Sequence, residues 1–117
     1  FLPACAEFFR QGLRCNQWAF WIAEQDGQVI SQVCIQRIHK VPRPNHLHPQ
    51  MGYITNVYTR PEYRNQGIGA HLMQCACDWA KQEGLDSLVL WPAKGREAFY
   101  KRAGFDPSKA VERDMRD

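Results

Sequence analysis

The amino-acid sequence predicts an α/β domain in which a mixed central sheet is flanked by helices. Three observations favour this class: a hairpin pattern near the start, a long amphipathic helix pattern in the middle, and a short apolar run after it. The 117 residues can build one hydrophobic core but not two, so we assign residues 1–117 to a single domain.

The first predicted elements are a helix and a β-hairpin. Residues 3–14 place apolar side chains near one face of a short helix, with a proline suited to its first turn. Two runs rich in β-branched and aromatic residues, Trp18–Glu24 and Gln28–His39, predict strands. They flank Asp26-Gly27, a dipeptide that strongly favours the tight turn of a hairpin.

The rest of the chain predicts a strand, a helix, a strand and a helix, followed by a tail. After a proline-rich loop, Pro42–Gln50, the run Met51–Thr59 predicts a third strand. Gly67–Glu83 has the apolar spacing of a helix, and the continuous apolar run Ser87–Pro92 is typical of a strand buried on both faces. A last helix is expected at about Gly95–Ala103, and the tail predicts one or two short strands or a frayed end.

Charge and composition exclude several classes of protein. The net charge is +3 and the basic residues are scattered, which disfavours nucleic-acid binding. No stretch of about 18 residues is apolar enough to cross a membrane, and the first residues lack the basic region of a signal peptide. The five cysteines lack metal-type spacing, so we expect no metal site and reduced thiols, as in the cytosol.

The start of the helix at Gly67 has an unusual composition. Gly67 and Gly69 each cost about 1 kcal/mol of helix propensity relative to alanine. No capping side chain directly precedes the helix, and no acid follows before Asp78, although free N–H groups and the helix dipole favour negative charge there. With Arg64 just upstream, these features indicate a phosphate or diphosphate bound to bare backbone.

A Gly-x-Gly pair is weak evidence when it stands alone, because it also occurs in tight turns and where a helix packs closely. Taken alone, the turn is the favoured interpretation. The segment is not a P-loop, since Gly-x-x-x-x-Gly-Lys is absent. It is also not a dinucleotide-binding turn, since no third glycine follows in register.

Three segments, in the order VYTRPEYRNQGIGAHLM, LVLW and FYKRAGF, resemble the GNAT superfamily of acyl-CoA-dependent N-acyltransferases. Arg64-x-x-Gly67-x-Gly69 matches that family's Arg/Gln-x-x-Gly-x-Gly/Ala diphosphate motif, and Tyr100 to Phe105 match its Tyr-x-x-x-Gly-Phe helix end. The resemblance covers roughly residues 18–105. It implies a GNAT-type mixed sheet and acetyl-CoA as the cosubstrate.

The resemblance also implies where acetyl-CoA would bind. Two neighbouring central strands would diverge at Asn56–Thr59, leaving backbone groups free for the pantetheine amides, while the loop and the helix start would hold the diphosphate. The residues implied to bind the cosubstrate are Val57, Tyr58, Thr59, Arg64, Asn65, Gln66, Gly67, Ile68, Gly69 and Ala70.

One catalytic residue follows from the same resemblance. Tyr100 stands where GNAT members keep a tyrosine near the sulfur, and a phenol with an ordinary pKa of about 10 can protonate a departing thiolate. From the sequence alone, the alternative is that Tyr100 packs with Phe99 in an aromatic stripe. Some members use a glutamate base at the position of Tyr53; His46, His48 and ordered water are alternatives, and no base is assigned.

The sequence departs from the family pattern in two places. Ala93 replaces the asparagine that often precedes the tyrosine by seven residues. Only 17 residues precede Trp18, so we expect the first strand of the fold to be missing and the domain to be truncated at its N-terminus. A sheet edge would then be unpaired, which would favour a homodimer.

We therefore expect a cytoplasmic N-acetyltransferase that moves an acetyl group from acetyl-CoA to a primary amine of a small molecule or peptide. The transfer would be direct, in a ternary complex. An alternative is a non-catalytic acyl-CoA-binding module, favoured by the absent base and the short N-terminus. An alternative of another class is a small basic nucleic-acid-binding domain, which the scattered charge disfavours.

Overall fold

Four strands form one sheet in the computed structural model, which describes residues 2–107 and 110–116. The strands lie side by side in chain order; the first three are antiparallel neighbours, and the fourth runs parallel to the third. They are β1 (Trp18–Gln25), β2 (Gln28–His39), β3 (Gln50–Thr59) and β4 (Ser87–Val89). The predicted mixed central sheet is confirmed.

Helices flank this sheet, as predicted. They are α1 (Leu2–Arg14), α2 (Ile68–Gln82) and α3 (Glu97–Arg102), and a short 3-10 turn at Pro61–Tyr63 connects β3 to the loop before α2. The predicted hairpin is also present, since β1 and β2 pair antiparallel. In the turn between them, Asp26 and Gly27 have positive φ angles of 52° and 78°.

The buried core lies between the sheet and α2. Val33 and Ile35 of β2 are fully buried, and Ile54 of β3 is 2% exposed beside them. The helix adds Leu72, Met73 and Ala76 to the same cluster. Because the side chains of a strand alternate between the two faces, these β2 residues fix one face of the sheet against α2. This packing holds the start of α2 close to the end of β3.

Aromatic side chains connect α1 to the opposite face of the sheet. Phe8 meets Trp18 edge-on with ring centroids 5.1 Å apart, and Phe9 meets Phe20 at 4.9 Å. Phe8 and Phe9 nevertheless remain 49% and 41% exposed. The α1 side of the sheet is therefore packed less tightly than the α2 side.

The third strand changes its pairing partway along its length. Only Met51, Gly52 and Tyr53 pair with β4, so beyond Tyr53 the β4-facing edge of β3 has no strand partner among the described residues. On the other edge, Gln32 pairs with Tyr58 and Cys34 with Thr55, which leaves one extra residue in β3. This β-bulge contains Asn56, whose φ is +54°. Pairing to β4 therefore ends three residues before Asn56, where the two central strands were expected to diverge.

Two predicted elements near the C-terminus were too long. The strand predicted over Ser87–Pro92 ends at Val89 and is not buried on both faces, since Ser87 is exposed and its two neighbours only partly buried. In the described part of the chain, β4 pairs with a strand on one edge only. The helix predicted from Gly95 begins at Glu97, because the φ of +85° at Gly95 is not helical.

The ends of the sheet fit the expectation of an unpaired edge. Within residues 2–107 and 110–116, no strand pairs with the outer edge of β1. The same residues contain no strand after β4, so the alternative of short strands in the tail is wrong for residues 105–107 and 110–116. The rest of the predicted tail element lies outside the described residues.

Candidate functional site

The start of α2 carries backbone donors without protein partners. Gly67 is its N-cap in the left-handed conformation, no side chain caps the helix, and its first turn contains no acid. The first bonded amide is that of His71, which donates to the Gly67 carbonyl at 3.0 Å. For the N–H groups of residues 68–70, no acceptor lies among the described parts of the chain. Three donors at the positive end of a helix form an anion-binding arrangement.

Each glycine of the motif has a local structural reason. Gly67 has φ of +82°, a conformation that disfavours a side chain even though a Cβ there would meet nothing within 4 Å. At Gly69, a Cβ would lie 3.3 Å from the Thr59 hydroxyl and 3.8 Å from the ring of Phe99. The bare backbone is thus required both by the turn and by close packing of the helix start on β3 and α3, and it leaves the amides accessible.

Arg64 is held in place beside these amides. Its Nε donates to the Thr59 carbonyl at 2.8 Å, and its guanidinium lies 5.5 Å from the centre of the Tyr58 ring. The Thr59 hydroxyl shares a buried hydrogen bond of 2.7 Å with the hydroxyl of Ser31 on β2. The last residue of β3 therefore positions the arginine, because the strand that presents Thr59 is itself anchored to β2.

A cavity of about 360 Å³ opens at this helix start. Eight of the ten residues predicted to bind the cosubstrate line it. They are Val57, Thr59, Arg64, Asn65, Gly67, Ile68, Gly69 and Ala70. The sequence pattern thus indicated one continuous surface formed by the end of β3, the connecting loop and the first turn of α2.

The opposite wall of the cavity comes from α3 and was not predicted. Arg96, Phe99 and Arg102 line it, and the guanidinium of Arg96 lies 5.6 Å from the centre of the Phe99 ring. With Arg64, three arginines line the cavity, and no carboxylate does. The available signal was the spacing, since residues 96, 99 and 102 are three apart and share one face of a helix.

Tyr100, the predicted catalytic residue, lies outside this cavity. It is 9% exposed and lines a second space of about 560 Å³ between β4 and α3, with Leu88, Leu90 and Phe105 among its apolar walls. Burial raises the pKa of the Tyr100 phenol above its ordinary value of 10.0, and the charge of Arg96 partly offsets that rise. The phenol is therefore protonated at neutral pH and is available as a proton donor.

The model of the acetyltransferase (GNAT) family matches residues 3–105. The chain belongs to the GNAT family. This match spans the hairpin, the arginine-glycine loop and the Tyr100 helix, so one family model accounts for the separate motifs.

Individual GNAT relatives are similar over most of this chain. An uncharacterized N-acetyltransferase of Methanocaldococcus jannaschii is 27% identical over 89% of this chain and 46% of its own length. N-alpha-acetyltransferase 30 of Schizosaccharomyces pombe is 33% identical over 77% of this chain and 60% of its own length. The chain thus spans about half the length of these curated relatives.

Solved GNAT structures have the same fold. The crystal structure of a predicted acetyltransferase with acetyl-CoA from Clostridium acetobutylicum has a TM-score of 0.81 to this protein and is 30% identical. The likeness covers 93% of this chain and 71% of that one. The fold class predicted from the sequence is therefore confirmed.

Two residues implied by the GNAT motif do not line the cavity. Tyr58 is 43% exposed, and its ring lies beneath the Arg64 guanidinium, so its side chain supports the arginine. Gln66 is exposed, and its amide nitrogen donates to the Glu62 carbonyl at 3.4 Å. The positions of these two residues therefore do not support a role for their side chains in ligand binding.

The histidines considered as bases lie in the loop that precedes β3. His46 Nε2 lies 2.8 Å from a carboxylate oxygen of Asp86, which also accepts from the Gln50 amide at 3.2 Å. Gln50 begins β3 and Thr59 ends it, so at about 3.3 Å per residue the pair lies about 30 Å from the phosphate-binding end. His48 is exposed in the same loop. The wall of the Tyr100 cavity instead contains two carboxylates, Glu97 and Asp106.

The described residues of this GNAT domain lack both a metal-binding cluster and a membrane-spanning helix. Within residues 2–107 and 110–116, no three His, Cys, Asp or Glu residues cluster closely enough to hold a metal ion. In the same described ranges, none of the helices combines the length and apolarity needed to cross a bilayer.

Proposed function

We propose that this chain is an N-acetyltransferase that moves an acetyl group from acetyl-CoA to a primary amine by direct transfer in a ternary complex. The observation that carries the proposal is the start of α2, where three amides have no acceptor among the described residues. They open into a cavity lined by three arginines and, as far as the structure is described, by no carboxylate. A diphosphate suits this arrangement, because it supplies negative charge and acceptor oxygens to a helix N-terminus.

The divergence of β3 from β4 supports a path for the pantetheine chain. Val57 and Thr59 line the cavity from the part of β3 that has no pairing to β4. Free peptide groups on this edge can pair with the amides of an extended ligand, as in strand addition. We therefore assign the main chain at Val57, Tyr58 and Thr59 to the pantetheine amides and residues 64–70 to the diphosphate.

Acetyl-CoA supplies a thioester with a good leaving group. The unprotonated acceptor amine attacks the thioester carbonyl carbon, so that a C–N bond forms and the C–S bond breaks with its electron pair moving to sulfur. The proton that the attacking nitrogen then loses passes to solvent water. We assign Tyr100 as the general acid that donates its phenolic proton to the departing thiolate. The raised pKa of Tyr100 keeps the phenol protonated over the whole neutral range, and it also makes the phenol a weaker acid than an exposed tyrosine.

The acceptor is proposed to be a primary amine on a small molecule or a peptide. One relative of this chain is named as an N-alpha-acetyltransferase, which makes a peptide amine a natural first substrate to test. The free thiols of all five cysteines suit a reducing compartment, so we propose a cytosolic location.

The test combines calorimetry with a turnover assay. The purified chain should bind acetyl-CoA and release free thiol when peptides and small amines are supplied. Tyr100→Phe should lower kcat by about 100-fold or more, the usual contribution of a general acid, while the affinity for acetyl-CoA changes less than about twofold. Tyr58→Phe is the matched control, because it removes an exposed phenol hydroxyl from β3 while keeping the main chain and the ring beneath Arg64.

The pH profile sharpens this test. Because the pKa of Tyr100 is raised above 10.0, loss of its proton should not lower the rate below about pH 10. The rate should instead rise with pH as the acceptor amine loses its proton. Full turnover by Tyr100→Phe would remove this residue as the acid, binding without turnover would indicate an acyl-CoA-binding module, and failure to bind acetyl-CoA would reject the function.

A further inference from the structure

A smaller cavity adjoins the phosphate-binding cavity and extends it along α2. This groove, of about 180 Å³, lies between α2 and α3. Its wall shares Ala70, Phe99 and Arg102 with the first cavity. Arg102 therefore stands at the junction of the two spaces, on the side of the helix start away from β3.

The chemistry of the groove differs from that of the first cavity. Apart from Arg102, its lining carries no charged side chain and includes Met73, Cys77 and Ala103. A flat, weakly polar group suits such walls, whereas the guanidinium at the entrance suits an anion. The two cavities together thus offer a diphosphate position, a cationic junction and an apolar end.

Arg102 also lacks a protein partner that would occupy its charge. Arg37 pairs with Glu83, Arg10 with Glu7, and the guanidinium of Arg64 is held by the Thr59 carbonyl. Within the described ranges, no carboxylate pairs with Arg102, which is exposed in the last turn of α3. An exposed guanidinium with free donors can bind a phosphate in the bidentate manner.

The order of groups in CoA matches the order of these spaces. From the thioester outwards, CoA has pantetheine amides, a diphosphate, a ribose that carries a phosphate monoester, and an adenine. With the pantetheine at Val57 and Thr59 and the diphosphate at the start of α2, the phosphorylated ribose falls at the junction and the adenine in the groove. This argument rests on the proposed function.

We propose that Arg102 is a specificity-determining residue whose guanidinium binds the ribose phosphate monoester and makes the protein prefer CoA to dephospho-CoA. The start of α2 and Arg64 already supply hydrogen-bond donors and positive charge at the proposed diphosphate position. The charge of Arg102 is additional, and only the phosphate monoester of CoA requires it.

The experiment measures the affinity of the full chain for CoA and for dephospho-CoA by calorimetry at low salt, where exposed charges are least screened. The wild type should bind CoA about tenfold more tightly than dephospho-CoA. Arg102→Gln should lose about tenfold in affinity for CoA and change less than about twofold for dephospho-CoA. Arg102→Lys keeps the charge without the bidentate donor pair and should retain part of the preference.

Lys101→Gln is the matched control. It removes one positive charge from the same helix, and Lys101 lines neither of these two cavities. It should leave the ratio of the two affinities unchanged. If Arg102→Gln lowers the affinities for CoA and dephospho-CoA equally, Arg102 serves the diphosphate. If the wild type binds the two ligands with equal affinity, no group recognises the monoester. Either result overturns the proposal while leaving the acetyltransferase assignment intact. Failure of the wild type to bind either ligand would overturn both.

Discussion

The two ends of β3 differ in pairing, and that difference separates the scaffold from the site. At its start, Met51–Tyr53 pair with both β2 and β4. At its end, Thr59 pairs with β2 alone, after the bulge at Asn56. The paired end fixes the sheet, and the open end presents backbone and Arg64 to the cavity. A single strand thus serves stability in one half and ligand binding in the other.

Packing around the strand follows the same division. At Gly52, an added Cβ would lie 2.6 Å from a Leu88 methyl group and 2.9 Å from one of Ile35, so a side chain there would force these packed residues to shift. Near the other end, Tyr58 is 43% exposed and Val57 lines a cavity. Substitutions at the paired end should therefore change folding stability and leave ligand binding intact, whereas binding depends on the main chain of the open end and on Arg64.

The largest expected effect on stability comes from Ile54→Ala, just after the last residue paired with β4. Ile54 is 2% exposed and packs in the core with Val33 and α2 residues, so its truncation should lower the free energy of unfolding by about 2–5 kcal/mol. Ile54→Val should cost only about 0.5–1.5 kcal/mol. Denaturant unfolding gives both values.

The same variants test the division between the two ends of β3. Calorimetry on folded Ile54→Val protein should give the wild-type affinity for CoA, because the open end of the strand keeps its shape. A loss of affinity in proportion to the loss of stability would show that the two ends are coupled and that the division is wrong.

Thr59→Val should have an intermediate effect, at the boundary between core and site. The substitution removes the partner of the buried Ser31 hydroxyl, so the free energy of unfolding should fall by about 1–3 kcal/mol. Affinity for CoA should change little, since Arg64 is anchored by the carbonyl of residue 59 and not by its hydroxyl. Denaturant unfolding and calorimetry measure the two quantities.

The double variant Ser31→Ala/Thr59→Val is the control for this mechanism. It removes both hydroxyls, so no buried group is left without a partner, and most of the lost stability should return. If the double variant is less stable than Thr59→Val alone, the hydroxyl pair is not the cause of the effect.

The sequence predicted the site best where the signal is local. Gly67, Gly69 and the absence of an acid in the first turn identified the start of α2, because helix-start chemistry depends on adjacent residues. The end of β4 was missed because a continuous apolar run shows burial but does not show where pairing to a neighbour stops. Pairing is a tertiary property.

The α3 wall could not be predicted for the same reason. The three-residue spacing of Arg96, Phe99 and Arg102 indicates that they share a face, but only the packing of α3 beside α2 brings that face to the phosphate-binding cavity. Tyr100, between them in sequence, points to a separate cavity beside β4. His46 was a candidate base because it lies in the loop before β3, and only the folded structure shows that this loop brings it to Asp86.

The smallest expected effect is that of Asp86→Asn, at the paired end of β3. The Asp86 carboxylate accepts from His46 and from the Gln50 amide, and its hydrogen bond to His46 is the main cause that lowers the pKa of this carboxyl below 3.8. Because the pKa is lowered in the folded protein, the ionised Asp86 carboxylate stabilises the fold above about pH 4. This stabilisation is lost as the pH falls through the pKa that Asp86 has in the folded protein. Asp86→Asn should therefore unfold at a slightly lower temperature than the wild type at pH 7, and the two melting temperatures should converge towards pH 3.

Asp114→Asn is the control for this prediction. It removes another exposed carboxylate with a lowered pKa, but one outside the sheet and helices, and should leave the melting temperature at pH 7 unchanged. Equal melting of Asp86→Asn and wild type at pH 7 would show that the loop before β3 does not help to hold its paired end, whereas reduced affinity for CoA in Asp86→Asn would contradict the separation of that end from the site.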